Sequence, residues 1–347
     1  MLPVAGTDNT TASLEPNNGP KSDADESVIP TEYQTSSIKS MLKPRSKTSY
    51  EYKFSFMPGF FVDYVKAAEL YPDAKVQTLP NLGITGRGYG AAPEGPSSGE
   101  QRPSWRGFTE YLQGLNERNE HGESYKLLFL IRHAAGVHNI FMEQVGTDAW
   151  NDYWAHLEGD GKVIWLDARA VDSGIVEAQR LAQFWIDGVQ NDDMPLPGTL
   201  YTSPLARCLE TTRLVYAPVF KSQQRSLQPV VKELLRERLT GHTCDKRSTR
   251  SWIAKAFPEC QIEPGFAESD SLWRADYLET PEDHVARKRE LLEEIFSNDD
   301  SPFISLTTHS YAISAILKVV GAPKFRVAEA AMVPLFIKAE KIAAGAP

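Results

Sequence analysis

The chain has 347 residues, 41% hydrophobic and 24% charged, with a net charge of −9 from 37 basic and 46 acidic side chains. Such a length buries a sizeable core, as one large domain or two small ones, and the acidic balance argues against general nucleic-acid or anionic-membrane binding, which needs a basic stripe. Cys208, Cys244 and Cys260 are odd in number and lack CxxC spacing, so neither a disulfide framework nor a cysteine zinc site is expected. No run approaches the roughly eighteen apolar residues of a membrane span. The first residues lack a basic start and an apolar stretch of leader length, so a cytoplasmic protein is expected.

Residues 1–48 are rich in Ser, Thr, Pro, Asn and Asp, with no aromatic residue before Tyr33. Such a segment buries too little apolar surface to offset its ordering entropy, which predicts a disordered tail. One domain is expected over 49–347. Tyr50 to Phe56 alternates aromatic and polar residues as a half-buried strand does. Residues 60–70 have helical spacing. Gly83, Gly86, Gly88, Gly90, Pro93 and Pro96 mark 81–106 as a long loop, followed by a helix over 105–115.

Leu127, Leu128, Phe129, Leu130 and Ile131 form an apolar run too short for a helix, which reads as a buried strand of a parallel sheet. It leads into Arg132 and His133, then Ala134, Ala135 and Gly136. Open α/β sheets place ligands beyond the carboxyl ends of their strands. A guanidinium beside an imidazole there suits an anion: Arg offers a planar fork of donors to phosphate oxygens, and His can attack or move protons.

Downstream, 141–157 carries Trp150, Tyr153 and Trp154 at helical spacing, the mark of packing. Ser173 is the expected N-cap of a helix through Trp185. Residues 199–204 read as a strand and turn entering a helix over 205–215. Arg207 falls in its first turn, where free backbone N–H groups add positive potential; the plainer alternative is a surface Arg paired with Glu210. A strand over 230–235 delivers Arg236 and Glu237, with Glu233 as a competing acid. Residues 241–280 read as an insertion whose Lys246 and Arg247 either reach further phosphates or form a solvated charge run. Pro281 opens an amphipathic helix to about 296. A buried strand over 303–307 ends in Thr308 and His309, a helix covers 311–320, and the last strand, 332–337, precedes a tail after Lys341.

Four stretches therefore stand in order: Arg132-His133 with Asn139 six residues after the His, Ser203-Pro204-Leu205-Ala206-Arg207, Leu235-Arg236-Glu237, and Thr307-Thr308-His309. Together they resemble the histidine phosphatase superfamily, the phosphoglycerate-mutase-like fold, in its fungal and plant branch, over about residues 125–340. The resemblance implies a three-layer α/β/α architecture on a mostly parallel central sheet. It implies catalysis by His133, as the nucleophile that becomes a phosphohistidine, and Glu237, as proton donor. Arg132, Asn139, Arg207 and His309 would grip the phosphate, with no metal and no cofactor. The expected partner is a small phosphomonoester metabolite, with no nucleic acid and no membrane. In such proteins insertions near 241–280 form the wall over the substrate.

Two positions depart from the family pattern. Ala134 stands where Gly is commonest, and Ser310 where Gly is usual; neither removes a reacting group. A phosphomonoesterase is the leading reading. A phosphoglycerate mutase would have to shield the phosphohistidine from water. A non-catalytic interaction protein on the same fold would normally have lost a reacting residue. A metal hydrolase using His133 and His138 is weakest, because five residues across a glycine loop do not share a helix face.

Overall fold

The computed structural model describes residues 50–86, 104–118 and 122–343; the expected tail over 1–48 and most of the expected 81–106 loop lie outside the described residues. The elements run β1 (Tyr50–Phe56), α1 (Tyr64–Ala68), β2 (Lys75–Val76), α2 (Trp105–Arg118), β3 (Glu123–Arg132), α3 (Val137–Val145), α4 (Thr147–Asp152), α5 (Asp172–Asn191), β4 (Thr199–Thr202), α6 (Ala206–Ser222), β5 (Val230–Val231), α7 (Arg250–Ala256), β6 (Gln261–Ile262), α8 (Pro281–Asn298), β7 (Phe303–Thr308), α9 (Ser310–Val320), β8 (Arg326–Val327) and β9 (Met332–Ala343). Seven strands form one sheet in the order β1-β9-β3-β7-β4-β5-β6, and β2 pairs with β8 separately. β9 runs antiparallel to β1 and β3, whereas β3-β7, β7-β4, β4-β5 and β5-β6 are parallel.

The apolar run of β3 explains the layers. Alternate side chains of a strand face opposite sides of its sheet. Leu127, Phe129 and Ile131 pack with Trp105 and Phe108 of α2, Trp185 of α5 and Tyr216 of α6. Leu128 and Leu130 pack with Leu291 and Ile295 of α8 and with Ile313 and Ile316 of α9. All five strand residues are fully buried; each such side chain contributes about 1.5–3 kcal/mol relative to exposure. The sheet thus has helices on both faces, the three-layer arrangement expected, and the strand needs no polar side.

Several boundaries differ from expectation. The helix over 60–70 is only α1, because Asp63 caps it by accepting from the N–H groups of Val65 and Lys66, while Phe60 turns into the core. The aromatic helix over 141–157 is broken at Gly146, whose φ of 85° ends α3 and starts α4, and a short 3-10 turn follows at Trp154–His156. Its aromatic rings do pack: Phe141, Trp150 and Trp154 surround Trp165. Helix α5 is capped at Val171 with no side-chain bond, so Ser173 is not the N-cap, and the apolar face continues through Gly188 to Asn191.

The strand over 230–235 stops after Val231; Glu233–Leu235 is a 3-10 turn. Residues 241–280 are built into the sheet, supplying its edge strand β6 and α7. β9 outruns the expected end at 337 and the expected tail after Lys341, because it pairs with β1 as far as Tyr50 opposite Ala343.

Candidate active site

The parallel register gathers the four sequence stretches at one end of the sheet. Arg132 lies opposite Thr308, so His133 and His309 each follow directly after neighbouring strands. The His133 N–H donates to the Thr308 carbonyl at 2.9 Å, and the two imidazole centroids are 5.1 Å apart. Thr202 lies opposite Thr307, which places Ser203 next; its N–H donates to the Thr307 carbonyl at 3.0 Å. Val231 lies opposite Thr202, and from there the chain turns through Glu233–Leu235 to Arg236 and Glu237.

His133 is 3% exposed, and its Nδ1 lies 2.9 Å from the carbonyl of Ala134. A carbonyl only accepts, so Nδ1 carries the proton and Nε2 keeps its lone pair. Burial, and then the charges of Arg207 and Arg132, hold the imidazole well below the ordinary histidine pKa. His309 is fully buried, with Nε2 at 2.8 Å from Ser203 Oγ and 3.4 Å from Cys208 Sγ. Its pKa too is pushed well down by burial and by Arg207. Both rings are therefore neutral at pH 7.

The loop between β3 and α3 is held from below by the approach to α5. The N–H of Val171 donates to the Ala135 carbonyl, and the N–H of Val137 to the Arg169 carbonyl. Gly174 makes this approach possible, since a Cβ there would lie 2.4 Å from the Ala135 carbonyl oxygen. Ala134 keeps out of the left-handed region and donates its N–H to Thr211 Oγ1 at 2.9 Å, so its extra methyl is accommodated without strain. The loop also delivers His138, whose buried ring lies 5.7 Å from that of His133.

The two arginines are fixed by carboxylates. Arg132 pairs with Glu329 at 2.6 Å and donates to the Val327 carbonyl, leaving Nε buried without a partner. Arg207 is 1% exposed and pairs not with Glu210 but with Asp245, 2.7 Å away, and with the Cys244 carbonyl; its Nε likewise has no partner. Glu210 instead accepts from Arg169 and from the Ala170 N–H. Among the described residues each arginine thus keeps a buried donor unused. Asn139 spends Oδ1 on the N–H of Gly136, capping α3; only its amide NH₂ is left for an anion.

Glu237 sits against the start of α9, immediately after His309. Its Oε1 accepts from the N–H groups of Arg238 and Ala312, and its Oε2 from Tyr311. Those bonds favour the carboxylate, but burial first and Asp245 second outweigh them, so its pKa is raised. The segment bearing Glu237 is pinned by α8: Arg287 donates to the carbonyls of Arg236 and Glu237 and forms a wholly buried pair with Glu279 at 2.6 Å.

Glu233, the other carboxyl weighed as the acid, is engaged by Arg247 at 2.6 Å and Arg236 at 3.4 Å. Arg247 also donates to carbonyls of Ala267 and Ser269, so it does not reach towards a phosphate. Lys246 stacks over the Trp273 ring.

Five contributors were not expected from sequence: Asp245, Asp167, Ser203, His138 and Arg287. Asp167 accepts from the Ala206 N–H at the head of α6 and from Ser248, tying the helix that carries Arg207 to the 241–280 segment. Ser203 lay within a recognised stretch, and His138 was weighed only as a metal ligand. The others have no local signal, because the bonds of Asp245 to Arg207, Asp167 to Ala206 and Arg287 to Arg236 span 38, 39 and 51 residues. Among the described residues, His242, Cys244 and Asp245 form one donor set able to hold a metal ion.

The comparisons agree with this geometry. The profile of the histidine phosphatase superfamily (branch 1) matches residues 155–330. A protein of Arthroderma benhamiae named "Probable phosphoglycerate mutase" is 37% identical over 287 residues, covering 83% of this chain and 84% of its own. The chain belongs to the histidine phosphatase superfamily. Two further relatives carry similar names. A "Probable phosphoglycerate mutase PMU1" of Saccharomyces cerevisiae is 32% identical over 223 residues, covering 59% of this chain and 76% of its own. A "Phosphoglycerate mutase-like protein 1" of Arabidopsis thaliana is 27% identical over 207 residues, covering 53% and 68%. In this superfamily member the profile match begins downstream of His133, whose place in the site rests on the register of β3 with β7.

Proposed function

We propose that the protein is a phosphomonoester hydrolase acting through a phosphohistidine at His133, without a metal in the reaction, on a small phosphorylated metabolite. One observation carries the reading. His133 gives Nδ1 to the Ala134 carbonyl and keeps Nε2 available at the sheet end where Arg132, Arg207 and His309 converge.

In the first step Nε2 attacks phosphorus and the P–O bond of the ester breaks. Glu237, whose hold on a proton is strengthened by burial and then by the charge of Asp245, gives that proton to the leaving oxygen. In the second step the Glu237 carboxylate takes a proton from water, which attacks the phosphohistidine and returns His133 with free phosphate. Arg132, Arg207, His309 and the Asn139 amide hold the phosphoryl oxygens. Charge spreads over those oxygens during transfer, so fixed cationic donors stabilise the transition state more than the ground state. The unused Nε donors of both arginines support this placement.

The names of the relatives favour a second reading, a mutase that returns the phosphoryl group to an acceptor other than water. The buried free thiols Cys208 and Cys244 suit a reducing compartment, in keeping with a cytoplasmic enzyme.

The deciding experiment is p-nitrophenyl phosphate turnover in excess chelator, wild type against His133→Ala, with trapping of an acid-labile phosphoenzyme. The proposal expects turnover that survives the chelator and falls roughly a thousandfold or more in the mutant. Activity persisting in His133→Ala would overturn the assignment of the nucleophile. A phosphoenzyme that forms but discharges only to a phosphoglycerate would select the mutase.

A further inference from the structure

The turn after the acid candidate carries a donor set that the proposed reaction does not use. His242, Cys244 and Asp245 offer an imidazole nitrogen, a thiol sulfur and a carboxylate oxygen, all within 4.8 Å of one another. Cys244 and Asp245 lie in a 3-10 turn and are 3% and 7% exposed, while His242 just before it is half-buried. The Asp245 N–H closes the turn on the His242 carbonyl at 3.1 Å, and side chains from outside hold it: Trp273 Nε1 donates to the His242 carbonyl at 2.9 Å, and Arg236 to the Asp245 carbonyl at 2.6 Å. The three side chains are thus brought together by the fold and not by bonds to one another.

We propose that His242, Cys244 and Asp245 bind a soft divalent cation of the Zn²⁺ type, with the Asp245 carboxylate shared between that ion and Arg207. A tetrahedral ion with bonds of about 2.0–2.3 Å brings its ligands to roughly 3.5 Å apart, so the donors need close by only about 1 Å. Asp245 can serve both partners: Oδ1 accepts from Arg207, and among the described residues Oδ2 accepts only the Thr240 hydroxyl at 3.1 Å, a bond a cation can replace. On binding, the S–H bond of Cys244 breaks, a sulfur–metal bond forms and one proton leaves to solvent. His242 enters through a neutral imidazole nitrogen.

One thiolate and one carboxylate balance a dication, and the thiolate selects zinc-like ions over Mg²⁺ or Ca²⁺. The fourth position is left for water. The ion takes no part in phosphoryl transfer, but it is coupled to it. Asp245 charge drawn to the cation is withdrawn from Arg207, which then presents more net charge to an anion. Cation and phosphate therefore bind with positive coupling, and the coupling is reciprocal. The site itself does not depend on the phosphatase reading; the coupling does.

The test is a Co²⁺ titration of the chelator-treated full-length protein. It is read by the near-ultraviolet thiolate-to-cobalt charge-transfer band and reversed by Zn²⁺. Wild type is expected to take one equivalent with the band. Cys244→Ser is expected to lose the band, and His242→Gln to bind about tenfold more weakly or worse. The half-exposed His242 keeps the test valid should the buried Cys244→Ser fail to fold. No band in wild type at saturating Co²⁺, or an unchanged band in Cys244→Ser, overturns the site. Affinity for inorganic phosphate, measured with and without Zn²⁺, is expected to rise severalfold with the ion. An unchanged affinity overturns the shared role of Asp245 while leaving the cobalt result to stand or fall alone.

Discussion

Arg207 and Asp245, 38 residues apart, form a buried ion pair with Nη2 2.7 Å from Oδ1. The pair joins a helix start to a turn in the 241–280 segment, and Asp245 also acts on Glu237, where its charge helps hold the proton. Replacing Asp245 by Asn keeps the acceptor and removes the charge. The Glu237 pKa then falls, and a group that must be protonated to act loses activity at lower pH than before. The basic limb of the kcat/KM profile is expected to move to lower pH in Asp245→Asn. A limb that stayed in place would show that Asp245 has no hold on the acid. Removing the acceptor as well, in Asp245→Ala, leaves a buried guanidinium unpaired and costs about 3–5 kcal/mol, readable by urea unfolding.

Glu237→Gln tests the proposed proton donor directly. General acid catalysis contributes about 10²–10⁴-fold, but only where the leaving oxygen needs a proton. Alkyl phosphates should lose that factor in kcat/KM, whereas p-nitrophenyl phosphate, with its stable phenolate, should lose far less. Equal losses across a series of leaving groups would mean that Glu237 positions the phosphate and does not protonate the ester.

The histidines set the acid limit of stability. Burial, aided by nearby arginines, holds His133, His138, His284 and His309 well below the ordinary value. The unfolded chain takes up protons as pH falls through about 6.5, and the native state does not. Stability is therefore full above that pH and declines below it, by up to about 1.4 kcal/mol per pH unit for each such group. Urea midpoints should drop steeply from pH 6.5 to 5. His284→Gln, which removes a group placed outside the phosphate site, should shallow the slope by one proton. An unchanged slope would mean that His284 protonates in the native state.

Gly174→Ala adds a methyl that would meet the Ala135 carbonyl at 2.4 Å. Neither partner is a flexible side-chain end, so the backbone must move. The expected loss is about 1–3 kcal/mol of stability, the usual range for overpacking. Because the displaced loop follows His133, kcat should also fall. Wild-type kcat in a destabilised Gly174→Ala would show that the loop position does not matter to the site.

What could be read from sequence was what is contiguous. Residues Leu127 to Ile131 and Phe303 to Thr307 declare buried strands by composition, and each runs straight into its histidine. The same logic overextended the strand at 230–235, where only two residues find a partner before the chain turns. It also misplaced the α5 cap, since Ser173 makes no capping bond and the cap, Val171, lies two residues earlier. Arg207 was found by its motif, but its partner was not. Asp245 lies in a stretch with no periodicity, and only the fold brings it back to the head of α6. Arg247 shows the converse: a basic residue beside Lys246 resembled a ligand group, yet five protein partners occupy its guanidinium.

The pairing of β1 with β9 has a consequence for how the chain is made. In the described residues the first strand to leave the ribosome, Tyr50–Phe56, finds its partner in the last, and Tyr50 meets Ala343 only once the chain has been made through β9. β9 also forms the second edge of β3, the strand that leads to His133. Until the C-terminal strand arrives, β3 lacks one neighbour and β1 exposes Tyr52 and Phe54, so the nascent chain presents unpaired, aromatic strand edges. The arrival of β9, and not the synthesis of His309, is the event that completes the sheet on which the histidines stand.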